Sequence, residues 1–240
     1  MKEKIKSSFD SASETYDSVS EVQTLSSAHL VEMLKKSTLP LKIAKILDIG
    51  SGTGNTSLEL MKVYPAAVYT LCDISENMIR RSRMKIKSAN YIVGDAERYN
   101  FTEKYHLAVS NLTMQWFESV DLFLEKILKN CEYFAFSTLL DESFYDYENL
   151  LRQYGVSVSC YPSIDEIIRI CQKRGQLMEY EVKRYDLLFD TPFGLVRYFK
   201  KLGAGARQYK GNVVSLLRGH KIKLNYCVFF AIIKGNNGKL

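Results

Sequence analysis

The stretch that most constrains this fold is Lys45-Ile46-Leu47-Asp48-Ile49-Gly50-Ser51-Gly52-Thr53-Gly54. A short apolar run carries one acid and then breaks into three glycines at alternate positions. The run has the length of a buried strand, and the glycines end it in a tight turn. Without Cβ atoms, that turn lets backbone approach a ligand closely. A second apolar run, Val68-Tyr69-Thr70-Leu71-Cys72, ends in a second acid, Asp73. Two such strands predict a nucleoside-bearing ligand lying across the carboxyl ends of neighbouring parallel strands.

The rest of the chain extends the pattern. Strands are expected at 45–49, 67–72, 90–93, 105–110 and 133–139, with helices at 54–63, 75–87 and 119–130. This alternation predicts a parallel sheet covered on both faces. A helix at 26–36 places Leu30, Met33 and Leu34 on one face, and Pro40 closes that region. Residues 1–24 are polar and Ser-rich, with Phe9, Tyr16 and Val22 as spaced anchors. Later, Pro162 and Ser163 open a helix running to about Arg174. Strand-like runs at 177–189 and 223–234 flank a basic, helix-patterned stretch at 191–220. The segments 1–40, 141–161 and 191–220 read as additions at the ligand edge of the sheet. One domain is expected over 1–240. It comprises an N-terminal lid (1–40), a cofactor-binding core (41–140), and substrate-side insertions with a final strand pair (141–240).

Composition excludes several classes. No stretch reaches the roughly 18 apolar residues of a membrane span. The longest apolar run, Cys227-Val228-Phe229-Phe230-Ala231-Ile232-Ile233, has strand length. No apolar segment follows the basic start at 1–6, so no signal peptide is visible, and a cytoplasmic protein without membrane contact is expected. The five cysteines are odd in number and form no CxxC pair, which predicts buried free thiols. Three scattered histidines give no metal-binding pattern. Charge is regional: after Asp190 there is no Asp or Glu, while ten Lys and Arg follow in a chain of net charge +6. A second basic cluster is Arg80, Arg81, Arg83, Lys85 and Lys87. These patches suit nucleic acid, an anionic membrane or an acidic protein, or form a plain solvated face.

The glycine spacing is G-x-G-x-G, not the dinucleotide G-x-G-x-x-G, because Asn55 stands where the third glycine belongs. That disfavours an oxidoreductase. With Asp48 ahead of it, the stretch resembles motif I of S-adenosylmethionine-dependent methyltransferases. Asp73 followed by Ile74-Ser75-Glu76-Asn77-Met78 resembles the family's D-x-S-x-x-M turn. A carboxylate at Asp73 can accept two hydrogen bonds from a ribose diol. Met78 either packs softly on the adenine face or fills core. Gly94-Asp95-Ala96-Glu97 resembles the third motif, where Asp95 accepts from the adenine amino group and the Ala96 amide donates to a ring nitrogen. The resemblance implies S-adenosyl-L-methionine as cofactor and no metal. It assigns Asp48, Gly50, Ser51, Gly52 and Gly54 to the cofactor from the first loop. Asp73, Ile74 and Met78 follow from the second, and Asp95 and Ala96 from the third. Asn111, Leu112 and Gln115 follow from the end of the fourth strand. It also implies the class I, Rossmann-like α/β fold: a seven-stranded, mostly parallel sheet with an antiparallel last strand and helices on both faces, with an added lid and helical insertions.

Ser110-Asn111-Leu112 lacks the Asn-Pro-Pro-Tyr type motif of amino-group methyltransferases, which favours an oxygen or carbon acceptor and argues against a nucleic-acid substrate. Further elements narrow the resemblance. They are Phe9-Asp10-Ser11-Ala12-Ser13-Glu14-Thr15-Tyr16-Asp17 with Val22-Gln23; Asn111-Leu112-Thr113-Met114-Gln115-Trp116; Phe136-Ser137-Thr138; and Leu195-Val196-Arg197-Tyr198-Phe199-Lys200-Lys201-Leu202-Gly203-Ala204. Asn225-Tyr226 completes them, with Asn where the pattern has Thr. Over nearly its whole length the chain resembles the malonyl-(acyl-carrier protein) O-methyltransferases of biotin synthesis. The resemblance implies methyl transfer to the free carboxylate of a malonyl thioester on acyl carrier protein. A carboxylate is ionised near pH 7, so no general base is needed, and the enzyme's work is alignment and desolvation. Arg197 is the candidate to grip the carboxylate, since guanidinium binds it bidentately. Tyr16 is the second catalytic candidate, with Gln115 and Trp116 lining the pocket. A basic face of Arg197, Lys200, Lys201, Arg207 and Lys210 is expected to steer the acidic carrier. A methyltransferase for another small carboxylic acid, a nucleic-acid methyltransferase and a non-catalytic cofactor-binding adaptor stay open as alternatives.

Overall fold

A computed structural model describes residues 1–40, 42–153, 160–204 and 221–235. Seven strands form one sheet: β1 (Lys45–Ile49), β2 (Val68–Asp73), β3 (Ala89–Val93), β4 (Tyr105–Ser110), β5 (Cys131–Leu139), β6 (Gln176–Phe189) and β7 (Ile222–Lys234). Their order is β3-β2-β1-β4-β5-β7-β6. β1 to β5 pair in parallel, while β7 runs antiparallel to both β5 and β6. This is the class I methyltransferase topology. The chain steps from β1 outward to β3, then returns to place β4 on the other side of β1. That reversal leaves a crevice above the carboxyl ends of β1 and β4.

The strands read as unbroken apolar runs because both faces are covered. Alternate residues feed two cores. Ile46, Leu71, Leu107, Ala135 and Phe230 pack on the side of α2 (Glu21–Lys36), α3 (Asn55–Val63) and α8 (Pro192–Leu202). Leu47, Cys72, Ala108, Phe134 and Phe229 pack on the side of α5 (Val120–Ile127) and α7 (Ile164–Arg174). Four helix starts carry side-chain caps that each accept a backbone N–H. Ser75 opens α4 (Glu76–Lys85), Ser119 opens α5, Ser163 opens α7 and Thr191 opens α8.

Strand bounds fall within two residues of the expected ones, and the last strand is antiparallel as expected. Several helices differ from the sequence reading. The polar N-terminus forms α1 (Lys2–Ala12), in which only Ile5 and Ala12 are buried. So thin an apolar stripe gives no periodic signal. α2 starts at Glu21, five residues ahead of the expected 26, with Ser20 before it. A further helix, α6 (Tyr145–Gln153), follows β5. In the basic stretch at 191–220, α8 covers the first part. Residues 205–220, with Arg207 and Lys210, lie outside the described residues. All five cysteines are free; Cys160 is exposed, whereas the other four are buried as expected. Among the described residues no helix is long and apolar enough to cross a membrane.

Candidate active site

The glycine loop seals onto the neighbouring strand: the Gly50 and Ser51 amides both donate to Cys72 O, at 2.7 and 3.1 Å. Gly50 has φ +67°, and a Cβ there would lie 2.2 Å from Thr113 Oγ1. Only glycine fits both conditions. The Gly52 amide donates to Asp73 Oδ2 at 2.8 Å, and the Ser75 amide donates to Asp73 Oδ1 at 2.8 Å. The second acid is thus aimed by backbone from two loops. Burial pushes its carboxyl up to about 6, against those two amide bonds, with the Asp10 charge adding to the rise. Asp48 sits behind the loop and accepts from Ser57 Oγ at 2.6 Å. Burial drives its carboxyl to about 7; the Ser57 bonds oppose this and Asp73 adds to it.

Above these strand ends lies a cavity of about 780 Å³, the size of a small-molecule site. Gly50, Gly52, Asp73, Ile74, Met78, Asp95 and Ala96 line the pole over β1 to β3. Asn111, Leu112 and Gln115 line its middle, after β4. Tyr16 faces it from the N-terminal segment. Burial raises the Tyr16 phenol above its usual range, with Asp73 the next cause. Asp48, Ser51 and Gly54 support the loop and lie off this surface. Asn111 is a brace: its Oδ1 accepts from Ser26 and Ser137 hydroxyls, both at 2.7 Å, and its Nδ2 donates to Gln23 O at 3.0 Å. Leu112 takes φ +48°, its amide donating to Ser137 Oγ at 2.9 Å.

Arg197 does not reach the cavity. It is exposed, and its guanidinium lies 4.9 Å from the Phe193 ring centroid. From α8 the cavity is met instead by Val196, Phe199 and Lys200, and by Gly203 just beyond the helix. The sequence reading also passed over the rings at the far pole, beyond β5 and β7: Phe144, Tyr147, Tyr161, Phe199 and Tyr226. Phe144 holds φ +62° and stands edge-on to Tyr161, Phe199 and Tyr226. The Tyr226 and Tyr198 hydroxyls hydrogen-bond at 2.8 Å. These rings come from separate elements, so no local spacing marks them. Only Phe199, within Leu195–Ala204, and Tyr226, within Asn225-Tyr226, lay in stretches that carried a signal.

The cofactor fits the first pole on one further observation. Asp95 Oδ2 is buried and has no hydrogen-bond partner, with Arg98 Nε 3.6 Å away. A buried acceptor without a hydrogen bond suits a donor from a ligand.

The methyltransferase domain model matches residues 46–132, which hold the glycine loop, Asp73 and Asp95. Malonyl-(acyl-carrier protein) O-methyltransferase of Acetivibrio thermocellus is 30% identical over 90% of this chain and 83% of its own length. This chain belongs to the malonyl-(acyl-carrier protein) O-methyltransferase family. The protein of the same name from Neorickettsia risticii is 28% identical over 95% of each chain. Solved structures agree on the fold. The N-methyltransferase NodS of Bradyrhizobium japonicum, in complex with S-adenosyl-L-homocysteine, matches at TM-score 0.54 and 13% identity over 88% of this chain and 86% of its own. Phosphoethanolamine N-methyltransferase 2 of Haemonchus contortus, in complex with S-adenosyl-L-methionine, matches at TM-score 0.59 and 18% identity over 95% of this chain and 57% of its own. The family member described here is an S-adenosylmethionine-dependent methyltransferase.

Proposed function

We propose that this enzyme methylates the free carboxylate of a malonyl thioester borne on acyl carrier protein, an early step toward the biotin precursor. The observation that carries the reading is one continuous cavity, polar at the cofactor pole and aromatic at the other, with Lys200 at its mouth. Family membership supports the acceptor. A cytoplasmic enzyme fits this reading, with the segments 1–40, 41–140 and 141–240 acting as one catalytic unit.

S-adenosylmethionine, when bound, supplies a methyl on a sulfonium. Asp73 is the residue to take the ribose diol, since each of its oxygens has one amide donor and keeps a lone pair. Asp95 Oδ2 and the Ala96 amide suit the adenine edge, with Met78 and Ile74 packed on it. Tyr16, held neutral by its raised phenol, serves as a hydrogen-bond donor and not as a base. Among the described residues no buried cation lines the aromatic pole. The acceptor carboxylate is therefore met there by tyrosine hydroxyls, which orient it without quenching its charge. Lys200, among the described cavity cations the one without a carboxylate partner, draws the anion to the mouth. Arg197 and Lys201 extend that face toward an acidic carrier.

Mass spectrometry of malonyl carrier protein incubated with the enzyme and S-adenosylmethionine is the test. Gain of one methyl group on the acyl arm is expected. Methylation of malonyl-coenzyme A or free diacids with an unmodified carrier would overturn the acceptor.

A further inference from the structure

The N-terminal segment touches each of the three cofactor loops through one charged side chain, and no two of these contacts share a loop. Asp17 reaches the glycine loop: its Oδ1 accepts from Thr53 Oγ1 at 2.6 Å and Asn55 Nδ2 at 3.2 Å. Its Oδ2 pairs with Lys85 Nζ at 2.7 Å. These donors hold the Asp17 carboxyl below the usual range despite the opposing effect of burial. Asp10 reaches the turn after Asp73: its Oδ1 accepts from Ser75 Oγ at 2.6 Å and the Asn77 amide at 3.1 Å. Lys2 reaches the third loop, paired with Glu97 and 3.5 Å from Asp95 Oδ1, and donates to Trp116 O at 3.2 Å.

Each acid directly follows a ring that lines the cavity. Phe9 precedes Asp10 and stands edge-on to Trp116 at 5.6 Å. Tyr16 precedes Asp17 and faces the same cavity. Phe9-Asp10 and Tyr16-Asp17 are thus one unit used twice, ring inward and acid onto a loop. Gly203, at φ +77°, allows the end of α8 to close on this segment, because a Cβ there would lie 2.7 Å from the Phe9 ring.

We propose that Lys2, Asp10 and Asp17 are positioning residues that make the N-terminal segment a three-point clasp. Each fastens one cofactor loop and helps seat the cavity roof over it. The clasp holds the adenosyl cofactor and sets the rate at which the thioether product, S-adenosylhomocysteine, leaves. The loops and the roof then share one equilibrium, so whatever loosens a fastening speeds product release. Charged hydrogen bonds of this kind are strong enough to matter singly.

The test measures dissociation of S-adenosylhomocysteine from the full chain by stopped flow. Asp17→Asn is expected to raise the rate about tenfold, with Asp17→Glu restoring part of it. Lys85→Met cuts the same fastening from outside the cavity and is expected to raise the rate a few-fold. Protection of residues 1–20 from protease by the product should weaken in parallel. A purely structural role would lower the melting temperature of the cofactor-free protein and leave the dissociation rate alone; that result would overturn the clasp. If Asp17→Asn does not fold, Lys85→Met decides: a wild-type rate in that folded variant also overturns it. Because the acceptor is not used, failure of the malonyl reading leaves this test intact.

Discussion

The two poles of the cavity are built by different physics. At the cofactor pole, backbone amides and hydroxyls already fix the polar groups before a ligand arrives. Asp73 is held by two amides, and Asp10 and Asp17 by two loops. Such preorganised dipoles select one ligand and resist change. At the far pole, Phe144 just ahead of α6 meets rings of α8, β7 and the 160–163 stretch edge to face. Such walls exclude water but read few polar features. On the proposed function, acceptor choice then comes from the mouth and from the carrier that delivers the thioester.

The sharpest way to break this contrast is at Asp73. Asp73→Ala should weaken S-adenosylmethionine binding about 100-fold by calorimetry and leave the acceptor KM nearly unchanged. A modest loss would show that the cofactor pole is not set by that carboxylate. At the mouth, Lys200→Ala should raise the KM for malonyl carrier protein about five- to tenfold, with cofactor affinity unchanged. Arg197→Ala should raise it only about twofold, and less as salt increases. The reverse ranking would return Arg197 to the substrate. Deeper in the aromatic pole, Tyr226→Phe removes the 2.8 Å bond to Tyr198. A loss of about 1 kcal/mol in urea unfolding is expected.

The smallest effect concerns pH. Asp48 and Asp73 titrate at about 7 and about 6 in the folded chain, against roughly 3.9 unfolded. Between those values the folded state binds more protons, so these two groups make the cofactor-free protein less stable as pH rises from about 4 to about 7. Melting temperature should therefore respond more weakly to pH in Asp48→Asn than in wild type. Cofactor affinity runs the other way and should fall below about pH 6, as Asp73 takes up a proton.

The first pole of the cavity was legible in the sequence because it is local. Gly50, Asp73 and Asp95 each close a strand, and their roles sit within a few residues of an apolar run. The acceptor pole is a meeting of distant residues: Phe144 and Tyr226 come together only after β7 enters the sheet. Arg197 and Lys200 illustrate the limit. Both are basic and one turn apart on α8, and composition cannot say which meets the cavity. The Arg197 guanidinium lies over the Phe193 ring, four residues earlier and exposed. Likewise α1 lacked an apolar stripe because charged contacts to remote loops hold it in place.

The position of β7 between β5 and β6 has a consequence for how the enzyme comes to exist. Among the described strands β6 pairs with β7 alone, so it has no place in the sheet until that strand has been made. A chain still emerging from the ribosome can assemble β1 to β5 and its glycine turn while β6 waits unpaired. The edge of the sheet is thus completed late, through a non-local pairing of the kind that forms slowly.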